Sequence, residues 1–390
     1  MERNRNMTRL KASYLFPEIN ARKRQFLAQH PEASLISLGI GDTTEPIPGA
    51  IAQALVEASA GMGSVKGYVG YGPEQGMKAL REKIALKLYS NRVSPDDIFI
   101  SDGAKCDIGR LQMLFGEGVT IAIQDPAYPV YVDGSLIQGV KKIIWLPCLP
   151  ENHFFPDLEK LENVDLIYFC SPNNPTGTVA TRAQLEKLVQ FAVAHRSIIL
   201  FDAAYSHYIQ DPKLPRSIFE IEGARKVAIE MNSFSKLAGF TGVRLGWTVV
   251  SDELKYDDGT SVKADWSRVM STVFNGASHI SQTGGCAALE SQGLQEIDAL
   301  IAFYMENARI LKEACEALGY EVFGGVNAPY LWVRVKGRNS WDVFQEFLDR
   351  YQLVITPGAG FGPAGEGFIR LTAFGHRENI VKAVERLRKG

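Results

Sequence analysis

Short unbroken apolar runs alternate with longer stretches whose apolar residues recur every three or four positions. Phe99–Ser101, Val119–Ile123, Asp165–Cys170 and Ser197–Phe201 are of the first kind and read as buried strands. Gly76–Tyr89 and Arg182–His195 are of the second and read as helices. Repeated alternation of this sort across residues 48–285 predicts a mainly parallel sheet with helices on both faces. Ahead of it, residues 1–47 read as an arm, a first helix, a short strand at Leu35–Leu38 and a glycine loop. From about residue 286 a long helical pattern runs through Tyr304–Leu318. Strands at Tyr320–Phe323, Tyr330–Val335 and Phe368–Thr372 then alternate with helices at Ser340–Tyr351 and His376–Arg388. The predicted organisation is α/β: a large domain at 48–285 and a smaller α/β C-terminal domain at 286–390, which residues 1–47 partly join.

The strands of the large domain feed turns rich in polar residues. Phe99–Ser101 leads into Asp102-Gly103-Ala104-Lys105, and a helix begins at about Lys105. Backbone N–H groups at such a start bind phosphate, which makes Ala104 and Lys105 candidate donors. Val119–Ile123 leads to Pro126-Ala127-Tyr128-Pro129-Val130-Tyr131. Tyr128, held between two prolines, is the better placed tyrosine to stack on a flat ring. Asp165–Cys170 opens into Ser171-Pro172-Asn173-Asn174-Pro175-Thr176-Gly177, a loop stiffened by its prolines, in which the Asn174 amide can reach a ring hydroxyl or a carboxylate. Ser197–Phe201 ends at Asp202, three residues before Tyr205. Asp202 either caps the next turn or pairs with a protonated ring nitrogen, with Tyr205 on the ring hydroxyl. Finally Ser233-Phe234-Ser235-Lys236 is followed, eight residues after the lysine, by Arg244. A lysine amine forms a Schiff base with an aldehyde, and the Ser233 and Ser235 hydroxyls with the Arg244 guanidinium can hold a phosphate. Pyridoxal 5'-phosphate combines these needs.

With these six elements in this order, the chain resembles the fold-type I pyridoxal-phosphate-dependent transferases, in particular the aspartate aminotransferase superfamily. The resemblance covers nearly the whole chain. It narrows at Tyr14–Glu18, Gly39–Thr44, Gly70–Gly76, Ile100–Asp107 and Phe274–Ser278, which are similar to the LL-diaminopimelate aminotransferase family. The resemblance implies that Lys236 carries the Schiff base and moves the proton. It implies that Tyr14, Gly41 and Lys105 line the substrate pocket, along with Tyr128 and Asn174. Tyr71, Glu74 and Asn275 would reach into the active site of a neighbouring subunit, Tyr71 toward the cofactor phosphate. The active unit would then be a homodimer with shared sites. The implied reaction interconverts LL-2,6-diaminopimelate and 2-oxoglutarate with tetrahydrodipicolinate and glutamate, on the route to lysine. The alternatives on the same scaffold are another aminotransferase, of the aromatic or alanine type, or a C–S lyase. A pyridoxal-phosphate-binding regulator is a remoter one, since only about 45 residues precede the large domain.

Arg370 lies within the short strand Phe368–Thr372. A guanidinium grips a carboxylate through two parallel hydrogen bonds, and the resemblance gives Arg370 the substrate α-carboxylate. Glu74 has the charge to pair with the distal ammonium of diaminopimelate; otherwise it only charges the start of a helix at about Gln75. Gly360-Phe361-Gly362-Pro363-Ala364-Gly365 matches a dinucleotide fingerprint in form, but a strand rather than a helix follows, so it reads as a loop near the substrate carboxylate.

Composition adds exclusions. A formal net charge of −2 and a pI near 6.4 argue against nucleic acid and anionic membranes as partners. No run approaches a membrane span, and the N-terminus lacks the apolar core of a secretory signal. Five dispersed cysteines and six scattered histidines offer no metal-ligand spacing and suit free thiols in a reducing cytoplasm. His207, near Tyr205, reads as structural.

Overall fold

The computed structural model describes residues 1–10 and 15–389. Its centre is a seven-stranded sheet in the order Ile98–Ser101, Gly246–Val250, Ala228–Ser233, Ile198–Asp202, Leu166–Cys170, Thr120–Asp125, Lys142–Pro147. Gly246–Val250 runs antiparallel to both neighbours, and the other strands point one way. That reversed strand carries no distinguishing pattern, because a strand buried on both faces reads as continuous apolar sequence in either direction. Apolar residues on the two faces enter separate clusters: Ile167, Phe169, Ile199 and Phe201 in one, Leu166, Tyr168, Leu200 and Ile229 in the other.

The helices follow their patterns closely. Arg182–His195 is opened by a reciprocal cap, in which Thr181 accepts from the Gln184 N–H and the Gln184 side chain accepts from the Thr181 N–H. Ser340–Tyr351 buries Val343, Phe344, Phe347 and Leu348 on one stripe. Two helix boundaries differ from expectation by more than one residue. The helix expected from Gly76 begins at Lys78. Gly76 has φ 94°, and a side chain there would meet Ile100 at 2.4 Å, so this residue is a tight turn against the sheet. The pattern from residue 286 is two helices, His279–Ala288 and Ser291–Ala317. The break lets Gly293 abut Ala287, where a Cβ would lie 2.1 Å from the carbonyl oxygen.

The C-terminal region builds a four-stranded antiparallel sheet, Thr356–Pro357, Phe368–Thr372, Tyr330–Arg334 and Glu321–Gly324. Residues from the start of the chain share its core: Ile36–Ser37 pairs with Leu353–Val354, and Leu15, Ile19 and Phe26 pack beside Phe344 and Leu348. The Ser291–Ala317 helix serves both regions. Ile297, Leu300 and Tyr304 belong to the large-sheet core, whereas Ala308, Leu311 and Ala314 belong to the small one.

Candidate active site

The carboxyl ends of the parallel strands open into a cavity of about 520 Å³, where ligands bind in open α/β sheets. Of the residues singled out in the sequence, Gly41, Ala104, Lys105, Tyr128, Asn174, Asp202, Tyr205, Ser233, Ser235, Lys236, Arg244 and Arg370 line it. They come from six turns of the large domain, the 39–44 loop and the small sheet.

Lys236 sits on the short helical turn Phe234–Leu237. Ser233 caps it, its Oγ accepting from the Ser235 N–H at 3.0 Å. Phe234 anchors it beneath, packed against Phe240 and Trp247. Lys236 Nζ donates to the Gly41 carbonyl and lies 5.4 Å from the Phe374 ring. Burial lowers its pKa to about 8; Arg370 and Arg244 push the same way and Asp42 opposes them.

Asp202 ends its strand between Cys170 and Met231 on the neighbouring strands. The cap reading holds in part: Oδ1 accepts from the Ala204 N–H at 3.0 Å. The other oxygen accepts from the Tyr131 hydroxyl at 2.7 Å. Burial raises the carboxyl above its ordinary value, the Tyr131 and Ala204 bonds lowering it again. None of the ion pairs among the described residues involves it, so a cationic N–H would find an acceptor here.

A compact anion cradle surrounds the start of the Ala104–Phe115 helix. Arg244 Nη1 donates to Ser235 Oγ and to the Thr241 carbonyl, each at 3.2 Å. Its backbone is left-handed, φ 68°, which costs a side-chain-bearing residue about 1 kcal/mol. Gly103, φ 126°, lets the guanidinium approach; a Cβ there would sit 2.4 Å from Nη2. Guanidinium, hydroxyl and helix start together suit a phosphate.

Arg370 is 1 % exposed, its guanidinium carbon lying over the rings of Tyr330 and Phe361, at 4.5 and 4.9 Å. Nη1 donates to Asn174 Oδ1 at 2.7 Å, and Nη2 donates to the Gly39 carbonyl. Nε is buried without a hydrogen-bond partner among the described residues, an arrangement a carboxylate would complete. Phe361 comes from the glycine-rich loop 360–365, which thus borders the guanidinium. Lys105 places its ammonium 5.9 Å from the Tyr128 ring centroid.

Tyr71, Glu74 and Asn275 lie outside the cavity and are exposed, Tyr71 at 88 %. Their two segments adjoin: a Cβ on Gly276 would be 3.7 Å from the Pro73 carbonyl oxygen. Glu74 does not start a helix, which begins four residues later. Tyr14 lies outside the described residues. His207 does not line the cavity, and burial takes its pKa down to about 3. The five cysteines are free.

The cavity also holds residues the sequence did not single out, including Asp42, Tyr131, Thr241 and Tyr330. Tyr131 could have been found three residues after Tyr128, one helical turn on. Tyr330 could not, because it opens an apolar strand in a distant part of the chain.

Residues 33–387 match the model of the family described as aminotransferase class I and II. The chain is 54 % identical to the LL-diaminopimelate aminotransferase of Protochlamydia amoebophila, spanning 100 % of this chain and 97 % of that protein. It is 53 % identical to the chloroplastic LL-diaminopimelate aminotransferase of Arabidopsis thaliana, over 100 % of this chain and 87 % of the relative. The solved L,L-diaminopimelate aminotransferase of Chlamydomonas reinhardtii superposes with a TM-score of 0.96 at 55 % identity, covering 100 % of this chain and 98 % of the other. This chain therefore belongs to the class I and II aminotransferases, and within them to the LL-diaminopimelate aminotransferase family.

Proposed function

We propose that the chain is a pyridoxal-5'-phosphate-dependent aminotransferase that interconverts LL-2,6-diaminopimelate and 2-oxoglutarate with tetrahydrodipicolinate and glutamate. The observation that carries this reading is one cavity in which a buried lysine of lowered pKa faces a buried arginine with an unmet N–H. The residues fit the cofactor: Arg244, Ser235 and the helix start suit its phosphate, and Asp202 lacks the cation that a protonated pyridine nitrogen would supply. The substrate rests on the relatives, two of which carry this activity in their names at 53–54 % identity over nearly the whole chain.

When bound, pyridoxal phosphate supplies an electron-withdrawing ring that takes up the electron pair left when an amino acid loses its α-proton. Lys236 Nζ, neutral above about pH 8, would accept that proton and return it to the carbon that was the cofactor's aldehyde, on the far side of the substrate nitrogen. Asp202 holds the ring nitrogen protonated. Asn174 and Tyr205 would hold the ring through its hydroxyl, Tyr128 would stack on it, and Arg370 would fix the substrate carboxylate. The same residues serve the second half-reaction, in which Lys236 moves the proton back. Assays of the purified protein with LL- and meso-diaminopimelate against 2-oxoglutarate test the substrate. No turnover of either isomer, with good turnover of an aromatic donor or alanine, would replace it.

The reading includes a homodimer in the cytoplasm, which the free cysteines suit. Tyr71, Glu74 and Asn275, exposed and adjacent, are the residues we assign to the neighbour's site. Mixing inactive Lys236→Ala chains with inactive Tyr71→Ala/Glu74→Ala chains should restore activity in heterodimers, since one of the two sites then has every group intact. Absence of recovery despite demonstrated subunit exchange would rule out a shared site.

Glu74 is our candidate for the distal ammonium of diaminopimelate. Glu74→Gln should lower kcat/KM for LL-diaminopimelate by roughly tenfold to a few hundredfold, the range for a lost charged hydrogen bond. Glutamate, which has no second ammonium, should lose far less. Single-turnover absorbance with each donor measures both, and equal losses would remove Glu74 from recognition.

A further inference from the structure

Tyr330 opens a strand of the small sheet, yet its side chain lines the cavity at the edge of the large one. It is 1 % exposed. Its hydroxyl is 2.6 Å from the Tyr205 hydroxyl, and its ring face lies against the Arg370 guanidinium, 4.5 Å from centroid to carbon. Glycines from three separate segments make room for it. A Cβ on Gly41 would lie 2.1 Å from the Tyr330 hydroxyl, and Cβ atoms on Gly177 and Gly324 would lie 2.3 and 2.4 Å from its carbonyl oxygen. A tyrosine that only filled the core would need one hydrogen-bond partner of any kind. Here the hydroxyl meets the residue assigned to the cofactor and the ring meets the residue assigned to the substrate.

We propose that Tyr330 is a positioning residue that acts on both: its hydroxyl strengthens Tyr205 as a donor to the cofactor ring oxygen, and its ring holds Arg370 in plane for the substrate carboxylate. This rests on the pyridoxal-phosphate reading above. Tyr205 has a single O–H. Once that O–H is given to the cofactor, the Tyr205 oxygen can only accept, so Tyr330 donates. A donor that itself accepts a hydrogen bond is polarised and donates more strongly. Stronger donation to the ring oxygen favours its ionised form, so the Tyr330 hydroxyl holds down the pH at which the bound cofactor changes protonation and colour. The ring acts separately. The Tyr330 and Phe361 rings both lie close to the guanidinium carbon and restrict its orientation, while Nε keeps its N–H for a ligand.

Tyr330→Phe and Tyr330→Leu, both loaded with pyridoxal phosphate, separate the two roles. Visible absorbance is titrated with pH, and binding of glutarate, a non-reacting dicarboxylate, is measured on the same samples. Besides Tyr205 and Arg370, the titratable groups facing Tyr330 are Tyr128, Tyr208 and Cys170, and neither variant changes them. Tyr330→Phe should raise the absorbance midpoint by about half a pH unit or more and leave glutarate affinity within about twofold. Tyr330→Leu should raise the midpoint similarly and also weaken glutarate by about tenfold. A phenylalanine variant that titrates like the unaltered protein would overturn the hydroxyl role, and a folded leucine variant with undiminished glutarate affinity would overturn the ring role. Equal changes in both readouts for both variants would mean plain loss of packing and overturn the proposal. The phenylalanine variant keeps the ring volume, so the hydroxyl test stands even where leucine impairs folding. If the unaltered protein takes up pyridoxal phosphate without any visible band, the cofactor reading fails and this inference fails with it, whatever the variants do.

Discussion

Lys236→Ala is expected to abolish transamination, by at least about 10⁴-fold, because a single amine provides both the covalent link and the proton transfer. Among the described residues no other lysine shares its situation. Lys105, which also lines the cavity, sits over the Tyr128 ring. The variant should still bind pyridoxal phosphate weakly. The cradle of Arg244, Ser235 and the Ala104–Phe115 helix is untouched, and the turn is anchored by Phe234 and Leu237 rather than by the lysine side chain. Bound-cofactor absorbance and turnover, measured on one preparation, check both statements; near-normal turnover would refute the assignment. Burial gives the unaltered protein a pH signature as well. The ammonium is held down to about 8 from an ordinary 10.5, so the reactive neutral amine accumulates as pH rises through 8. The rate at which apoprotein captures the aldehyde should rise through that midpoint and level off above it. A rise that continues toward 10.5 would mean that the amine is exposed to water.

Arg370→Ala is expected to weaken amino donor and oxo acid alike, lowering kcat/KM in each half-reaction by roughly 10²-fold or more, since a buried charged pair is lost. Both substrates present an α-carboxylate, and among the described residues Arg370 is the arginine with a buried Nε lacking an acceptor. Arg370→Lys should recover little. An ammonium cannot make two parallel bonds, nor can it lay a planar group over the Tyr330 and Phe361 rings. Thermal denaturation must accompany the kinetics, because alanine leaves a void between those rings. A loss confined to one substrate would show that the two carboxylates bind in different places.

Most of the large domain was legible because its strands are short apolar runs bounded by turns, and its helices bury a regular stripe. Arg182–His195 and Ser340–Tyr351 match to the residue. The candidate site was legible for a related reason. Phosphate turn, asparagine loop, aspartate and lysine each follow a strand end, so local sequence marks them. What escaped depends on tertiary approach. Gly76 reads as helical until it meets Ile100. The reversed strand Gly246–Val250 looks like its parallel neighbours. Tyr330 reaches the cavity only because the small sheet is set against the 39–44 loop and the asparagine loop, contacts that span more than a hundred residues of chain. Glu74 remains an assignment from resemblance and chemistry, since it faces outward from the cavity of its own chain.

The Gly39 carbonyl that accepts from Arg370 also accepts from the Thr356 hydroxyl at 2.6 Å. A substrate carboxylate reaching for that guanidinium edge therefore competes with a backbone carbonyl that has another donor to keep. Displacement leaves no stranded group behind. The contest is decided by charge: the donor is cationic either way, but only a carboxylate brings the opposite charge and a second oxygen for a parallel bond. An ester or amide of the same amino acid brings only what the backbone already offers, and gains next to nothing by the exchange. The loop is thus expected to screen out uncharged look-alikes without any side chain dedicated to refusing them.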